Sequence, residues 1–116
     1  VKQPIKGLGV SNTIRGAVAS WSKTMANELG KFGITVNNIL PGATQTGRIE
    51  DIINKKVEKT GKSADEVRKE MIDEIPAGRF ADPNELAYAA AFLASDKAAY
   101  INGVSIAVDG GRMGCL

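Results

Sequence analysis

A long amphipathic helix followed within a few residues by a short apolar strand is the feature that most constrains this chain. Apolar residues recur every three or four positions across residues 11–29, with the polar residues 11–13 as candidate caps. Residues 34–40 are rich in β-branched side chains, and Pro41-Gly42 ends the segment. A helix so close to a strand is half of a crossover unit, which needs a parallel strand before the helix. Only ten residues precede the helix, so we expect the partner strands to lie N-terminal to this chain.

Three more helices and one more strand are predicted after this turn. The first helix places four apolar residues on one face: Ile49, Ile52, Ile53 and Val57. The second begins at Ser63, where Glu66 stands in capping-box spacing. The third begins at residues 82–85, Asp-Pro-Asn-Glu, which supply an N-cap, a proline at the first helical position and a carboxylate at the third. Alternating apolar residues predict the last strand at 104–108.

The third of these helices is apolar around most of its circumference from Leu86 to Ala94. We therefore expect it to be buried against a sheet or a second subunit. Two strands are too few to cover this much helix surface or to form a stable sheet by themselves. An α/β fold completed by strands N-terminal to this chain is the interpretation we favour. A stand-alone interaction module is the alternative, and the unpartnered strands argue against it.

Charge and residue usage exclude several functional classes. The 15 basic and 13 acidic residues are interleaved and leave a net charge of +2, so we expect neither nucleic acid nor a membrane surface as a partner. No apolar run approaches the roughly 20 residues of a membrane span. The single cysteine, Cys115, cannot form an internal disulfide, which favours a reducing, cytoplasmic setting. Because the chain has no histidine, we expect no metal site and no Ser/His or Cys/His catalytic pair.

Several sequence blocks occur in an order that resembles a known family. Residues 33–42 read Gly-Ile-Thr-Val-Asn-Asn-Ile-Leu-Pro-Gly, residues 78–87 read Gly-Arg-Phe-Ala-Asp-Pro-Asn-Glu-Leu-Ala, and residues 93–111 end in Val-Asp-Gly-Gly. Together they resemble the C-terminal half of short-chain dehydrogenases/reductases, particularly those like 3-oxoacyl-[acyl-carrier-protein] reductase. The resemblance extends over nearly all of the chain from about Ser11 onward.

This resemblance implies one domain, of which residues 1–116 are the C-terminal portion. The fold would be a Rossmann-type, doubly wound parallel sheet whose N-terminal half, with the main phosphate-binding turn, is absent from this chain. The whole protein would transfer hydride between NAD or NADP and a small-molecule carbonyl or alcohol substrate. By the same resemblance we expect a homo-oligomer, a dimer or a tetramer. We expect this chain alone to be inactive.

The resemblance also assigns cofactor-binding residues. Pro41, Gly42 and Thr46 match the family's Pro-Gly and the threonine that hold the nicotinamide carboxamide; the alternative is an ordinary turn at the end of a strand. Residues 47–76 match the family's substrate lid, and their charged character also fits a solvated helical hairpin. Asn37 lies within the apolar strand, where a buried amide needs hydrogen-bonding partners. We interpret Asn37 as structural rather than catalytic.

The family's catalytic tyrosine, and the lysine four residues after it, fall on Ser11 and Arg15 in this chain. Arg15 retains a positive charge and can donate hydrogen bonds to the cofactor ribose, but it cannot deprotonate. A serine hydroxyl is a much weaker acid than a phenol, so Ser11 is expected to bind a substrate oxygen and to transfer a proton poorly. We interpret Tyr88 and Tyr100 as packing residues.

Two interpretations of this substitution remain open. In the first, the protein is a divergent oxidoreductase with altered or weakened proton transfer. In the second, it is a non-catalytic member that uses the same fold for cofactor binding or assembly.

Overall fold

Two short strands form a parallel pair in the structure, a computed structural model that describes residues 3–115. Strand β1 (Asn38–Pro41) pairs with β2 (Ser105–Val108), with Asn38 opposite Ser105 and Pro41 opposite Val108. The four helices are α1 (Gly9–Leu29), α2 (Gly47–Thr60), α3 (Ala64–Asp73) and α4 (Pro83–Leu93). Short 3-10 turns follow α1 and α4, at Gly30–Phe32 and Asp96–Ala98. The predicted α/β architecture with a parallel sheet is therefore confirmed.

Strand β1 is shorter than the predicted segment 34–40, because asparagine side chains take over part of the pairing before it, beside the backbone bond from the Gly103 N–H to the Val36 carbonyl at 2.9 Å. The Asn37 amide donates to the Ile101 carbonyl at 2.9 Å and accepts from the Val104 N–H at 3.1 Å. The Val36 N–H donates to the Asn102 side chain at 2.9 Å. These bonds satisfy the chain where a longer ladder would otherwise run. Asn37 thus has the hydrogen-bonding partners that its structural interpretation requires.

Helix α1 begins at Gly9, two residues before the predicted start, and the prediction that residues 11–13 cap it is wrong. The N-cap position is Leu8, which makes no side-chain capping hydrogen bond. Asn12 instead bonds back to the preceding loop, accepting from the Ile5 N–H at 3.2 Å and donating to the Ile5 carbonyl at 2.8 Å. Because this loop is fixed by the Asn12 side chain, the helix extends through the polar residues rather than starting at them.

The main hydrophobic core lies in and next to the α2–α3 hairpin. Its buried members come from α2, α3 and the segment after them: Ile49, Ile53, Val67, Met71, Ile75 and Phe80. The predicted apolar face of α2 is thus confirmed, since Ile52 and Val57 pack against the same core. The predicted capping box of α3 is present, with the Glu66 N–H donating to the Ser63 hydroxyl and the Ser63 N–H donating to the Glu66 carboxylate.

Helix α4 starts as predicted but is not buried within the described residues. Asp82 and Glu85 form its capping box, with Pro83 in the first turn. The helix contacts β1 and β2 on one side, yet Phe92 and Tyr88 are exposed. Tyr88 is 70% exposed and Tyr100 is fully exposed, so the expected packing of both tyrosines is not met within these residues. A sheet of two strands is too narrow to cover an all-apolar helix.

Helix α1 also presents an exposed apolar stripe. Its exposed members recur at intervals of three or four: Val10, Ile14, Val18 and Trp21. Near its C-terminal end, two side-chain hydrogen bonds attach α1 to the segment before β2. The Asn102 amide donates to the Ala26 carbonyl at 2.9 Å, and Lys23 donates to the Gly103 carbonyl at 3.0 Å. None of the helices within residues 3–115 is both long enough and apolar enough to cross a lipid bilayer.

Candidate functional site

The carboxyl ends of the two parallel strands meet at Gly42 and Asp109. The Gly42 N–H donates to the Val108 carbonyl at 2.9 Å, which extends the ladder by one residue. A Cβ atom built on Gly42 would lie 2.6 Å from the Asp109 Cα. Glycine is therefore required at this position by the close approach of the two chains. In open α/β sheets, ligands bind beyond the carboxyl ends of the strands. A small cleft of about 80 Å³ lies at this place in the structure. It is lined by Ala43, Ala77, Arg79, Ala81, Glu85, Val108, Asp109 and Gly110.

The segment that leaves β1 is held by its backbone against residue 81. Ala81 donates its N–H to the Ala43 carbonyl at 2.9 Å and accepts from the Gln45 N–H at 2.9 Å. Thr44 and Ala81 thereby form an isolated parallel bridge. This pairing fixes the path of residues 43–45. We call residues 43–46 the cofactor loop, after the cofactor contact that the sequence resemblance predicts for Thr46.

Thr46 ends the cofactor loop at the start of α2. It is the N-cap residue, but its side chain makes no capping hydrogen bond. Its exposed hydroxyl lies 3.4 Å from the Thr44 carbonyl, longer than the usual O–H···O range of about 2.5–3.0 Å. The first amides of a helix lack partners within the helix. A carboxamide oxygen can accept hydrogen bonds from a hydroxyl and from the amides at the start of a helix. The residues present therefore fit a nicotinamide.

The side chain of Gln45 connects the cofactor loop to both helices of the hairpin. Its amide donates to Glu50 Oε1 on α2 at 2.9 Å. Arg68 Nη2 on α3 donates to the two oxygens of the same carboxylate at 2.8 and 2.7 Å. The hydrogen bond from Arg68 holds the pKa of Glu50 below its ordinary value, which keeps this carboxylate ionised and accepting.

A second carboxylate, Glu85, closes the cleft from the α4 side. Arg79 donates two hydrogen bonds to this carboxylate, from Nη1 to Oε2 and from Nη2 to Oε1, each at 2.7 Å. The Asp82 N–H donates to Glu85 Oε2 at 2.7 Å. The hydrogen bonds from Arg79 and then from Asp82 lower the pKa of Glu85 from 4.5 to about 2. Glu85 is thus an ionised structural acceptor rather than a proton donor near neutral pH.

We predict that Glu85 titrates with a midpoint near 2, because the folded state favours its ionised form. A lowered pKa means that this carboxylate stabilises the folded state fully above 4.5 and that the contribution is lost as pH falls from 4.5 to about 2. The carboxyl carbon shift of Glu85 in NMR measures the midpoint. Arg79→Gln should raise it toward 4.5, and the control Arg48→Gln should not. An unchanged midpoint in Arg79→Gln would show that the ion pair does not set this pKa.

The two predicted catalytic positions contact each other on the first turns of α1. Arg15 Nε donates to the Ser11 hydroxyl oxygen at 3.1 Å, across one turn of the helix. Arg15 is exposed and Ser11 is half-buried. The structure thus brings Ser11 and Arg15 together, and it places Pro41, Gly42 and Thr46 on one continuous segment. Within residues 3–115, no hydrogen bond joins the first pair to residues 41–46.

Sequence reasoning missed both carboxylate–arginine pairs of the site. Glu50 and Arg68 are 18 residues apart on different helices, so no local spacing rule pairs them. Arg79 lies six residues before Glu85 and outside α4. The capping-box spacing of Glu85 with Asp82 was a usable signal that this carboxylate is engaged, but nothing in the sequence identified its arginine partner.

Comparison with known proteins gives consistent matches over most of the chain. The family model described as Enoyl-(Acyl carrier protein) reductase matches residues 2–112. The short-chain reductase protein NovJ of Streptomyces niveus is 36% identical over 100 residues, which are 86% of this chain and 37% of NovJ. The 3-oxoacyl-[acyl-carrier-protein] reductase FabG of Vibrio cholerae is 39% identical over 97 residues, 84% of this chain and 35% of FabG. The chain thus spans little more than a third of the length of these relatives.

Solved structures agree with the sequence matches. The crystal structure of YwfH, an NADPH dependent reductase involved in bacilysin biosynthesis, superposes with a TM-score of 0.88 at 32% identity and covers 99% of this chain and 44% of YwfH. An actinorhodin polyketide ketoreductase with NADPH superposes with a TM-score of 0.91 at 25% identity, covering 98% of this chain and 44% of that protein. These superpositions confirm the predicted Rossmann-type fold, and together with the family match over residues 2–112 they establish that this chain belongs to the short-chain dehydrogenase/reductase family.

Proposed function

We propose that the protein containing this chain transfers hydride between a nicotinamide cofactor, NAD or NADP, and a carbonyl or alcohol group of a small molecule. The observation that carries this proposal is the superposition of 99% of the chain on YwfH, an NADPH dependent reductase. A 3-oxoacyl substrate is the first candidate, supported by the 39% identity to a 3-oxoacyl-[acyl-carrier-protein] reductase.

The cofactor loop and the turn before it are the proposed nicotinamide contacts. In this proposal Pro41 and Gly42 set the direction of the chain as it leaves β1, and the Thr46 hydroxyl donates to the carboxamide. The exposed Thr46 hydroxyl and its weak internal hydrogen bond support this role. A bound nicotinamide supplies or accepts the hydride, while the protein residues orient the ring and hold water away from it.

Ser11 and Arg15 are the proposed groups at the reacting oxygen and the ribose. Because the Ser11 oxygen accepts from Arg15 Nε at 3.1 Å, its hydroxyl hydrogen remains available to donate to a substrate oxygen. The remaining guanidinium N–H groups of Arg15 are available for ribose hydroxyls. A serine can stabilise the developing alkoxide by one hydrogen bond but transfers its proton poorly, so slow turnover is expected.

Residues 47–76 are the proposed substrate lid. The two helices of the α2–α3 hairpin share buried apolar residues, including Ile53 and Val67, which hold them together as a unit. The same core continues to Phe80 and Ala43 outside the hairpin, so opening of the lid would have to change the contacts to these two residues. Its outer face is charged and exposed, as expected for a cover that faces water when it is open.

We also propose a homo-oligomer, a dimer or a tetramer, in the cytoplasm. The exposed apolar stripe of α1 and the exposed Tyr88 and Phe92 of α4 support further packing against other protein surfaces. The free, exposed Cys115 supports a reducing compartment.

A non-catalytic member that binds cofactor or assembles through the same fold is the second candidate. The observation that favours it is the pair Ser11 and Arg15 at the positions where the resemblance places tyrosine and lysine. An arginine cannot relay protons at neutral pH, and its Nε is already engaged by the Ser11 oxygen.

Binding and turnover measured on the same protein distinguish the two candidates. We expect binding of NADH or NADPH, seen by nicotinamide fluorescence, together with slow reduction of 3-oxoacyl thioesters. Ser11→Ala should lower kcat about five- to tenfold, the effect of losing one hydrogen bond. Ser20→Ala, the same change further along α1, is the matched control and should leave kcat unchanged.

Turnover that is unaffected by Ser11→Ala would overturn the role given to Ser11. Cofactor binding without turnover on any carbonyl would favour the non-catalytic candidate. A protein that binds neither NADH nor NADPH would contradict the first candidate and the cofactor-binding form of the second, leaving only a role in assembly.

A further inference from the structure

The cofactor loop is held on two sides, and only one of them is backbone. Ala81 fixes the main chain of residues 43–45 through two hydrogen bonds of 2.9 Å. The Gln45 side chain is fixed separately, by donating to Glu50 at 2.9 Å. Gln45 directly precedes Thr46, the proposed nicotinamide contact. A shift of the Gln45 side chain would therefore also move Thr46.

Arg68 is the group that fixes the Glu50 carboxylate in turn. Its Nη2 reaches both carboxylate oxygens, at 2.8 and 2.7 Å, from the other helix of the hairpin. The Arg68 guanidinium lies 5.9 Å from the ring of Phe80, which belongs to the buried core. The arginine is thus anchored to the core of the hairpin while its charge reaches toward the loop.

We propose that Arg68 is a positioning residue for the cofactor loop, acting through Glu50 and Gln45 on the residue that contacts nicotinamide. This inference rests on the proposed function. It makes the α2–α3 hairpin part of the cofactor site as well as a cover for substrate, because the loop and both helices share one carboxylate.

The pairing of Arg68 with Glu50 limits the direct electrostatic effect of Arg68 on a bound cofactor. Its partner carboxylate neutralises it, and its side chain is 32% exposed while that of Glu50 is 43% exposed. A partly exposed, paired arginine makes a small contribution to binding, which corresponds to a change of about three- to fivefold in Kd. Because Arg68 is proposed to act only through the cofactor loop, the effect is expected on binding of the nicotinamide end alone.

The test uses the whole protein and two ligands that differ only by the nicotinamide ring. Kd is measured for the reduced dinucleotide that the protein binds and for ADP-ribose, or its phosphorylated form if the protein uses NADP. Arg68→Met should raise Kd for the dinucleotide about three- to fivefold and leave Kd for the ADP-ribose ligand unchanged. Arg68→Lys should restore binding, because a single nitrogen makes both contacts to Glu50.

Lys69→Met is the matched control, since Lys69 is paired with Asp73 on its own helix at 2.6 Å. It should change neither Kd. Gln45→Ala should reproduce the effect of Arg68→Met, and combining the two changes should add nothing further, because both act through one contact.

Each other result overturns the inference. Equal weakening of both ligands by Arg68→Met would show a general structural role, and no weakening would show no role. Additive effects of Gln45→Ala and Arg68→Met would exclude action through Gln45. If the unsubstituted protein binds the ADP-ribose ligand and the dinucleotide equally well, the loop does not contact nicotinamide; if it binds neither, the proposed function fails as well.

Discussion

Gly42→Ala should lower the free energy of unfolding by about 1–3 kcal/mol, the usual range for overpacking. The added Cβ would lie 2.6 Å from the Asp109 Cα and 2.8 Å from its Cβ. The nearest atom is backbone, so no side-chain rotation relieves the contact. The ends of β1 and β2 would have to separate at the place where the Gly42 N–H donates to Val108. Denaturant unfolding of the whole protein measures the loss.

Gly47→Ala is the matched control for this change. Gly47 is the first residue of α2, and a Cβ built there would meet no atom within 4 Å. Alanine is also the better helix former, so no loss of stability is expected. Equal destabilisation by the two substitutions would show that the Gly42 contact with Asp109 is not the cause.

The contact between Gly42 and Asp109 offers a reason for the glycine of the Pro-Gly turn. Close approach of a ligand is one reason for a glycine at the end of a strand, and close approach of another chain segment is a second. At Gly42 the second reason is present in the structure, through Asp109. Asp109 is itself held by the Gly111 and Met113 N–H groups at 3.0 and 2.8 Å, so it cannot easily move aside. Packing against Asp109 is thus sufficient to explain the glycine at residue 42, without any contact to a cofactor.

Local signals in the sequence predicted helix starts wherever a side chain forms the cap. The capping boxes at Ser63 and Asp82 are both present, because their geometry depends on residues three apart in the chain. Asn12 shows the limit of such reasoning. It has the composition of a cap, but its amide bonds to Ile5, seven residues earlier, and the helix starts before it.

The start of β1 and the arginine–carboxylate pairs of the site are set by contacts between residues far apart in the sequence, which local patterns do not reveal. β1 begins later than predicted because Asn37 bonds to Ile101 and Val104, and these partners lie beyond any local window. The resemblance supplied Thr46 and the cofactor loop, but it gave no reason to select Arg68. The Arg68–Glu50 pair arises only because α2 and α3 pack together around Ile53 and Val67.

Helix α4 illustrates a prediction that depends on what surrounds the chain. Its all-apolar body correctly indicated a surface that needs covering. Within the described residues the two strands cover one side only, and Tyr88 and Phe92 remain exposed. Periodicity thus predicts how much of a helix should be covered but not which element covers it.

Replacing Ser11 by tyrosine together with Arg15 by lysine should raise kcat/KM for carbonyl reduction about a hundredfold, the lower end of the range for a positioned general acid. The two side chains already meet at 3.1 Å across one helical turn. A lysine ammonium in the place of the Arg15 guanidinium would therefore lie near the new phenol and lower its pKa. The phenol could then pass its proton to the carbonyl oxygen as hydride arrives. Steady-state kinetics on a 3-oxoacyl thioester measures the gain.

Ser11→Phe combined with Arg15→Lys separates acid catalysis from packing, because it adds the same ring without the hydroxyl. It should show no gain over the unsubstituted protein. If the tyrosine and phenylalanine pairs behave alike while nicotinamide binding is intact, the missing acid is not what limits turnover. The non-catalytic candidate would then be favoured. A gain confined to the tyrosine pair would mean that the pocket still holds a carbonyl and a nicotinamide in reacting positions, and that Ser11 and Arg15 are what make the protein a slow reductase.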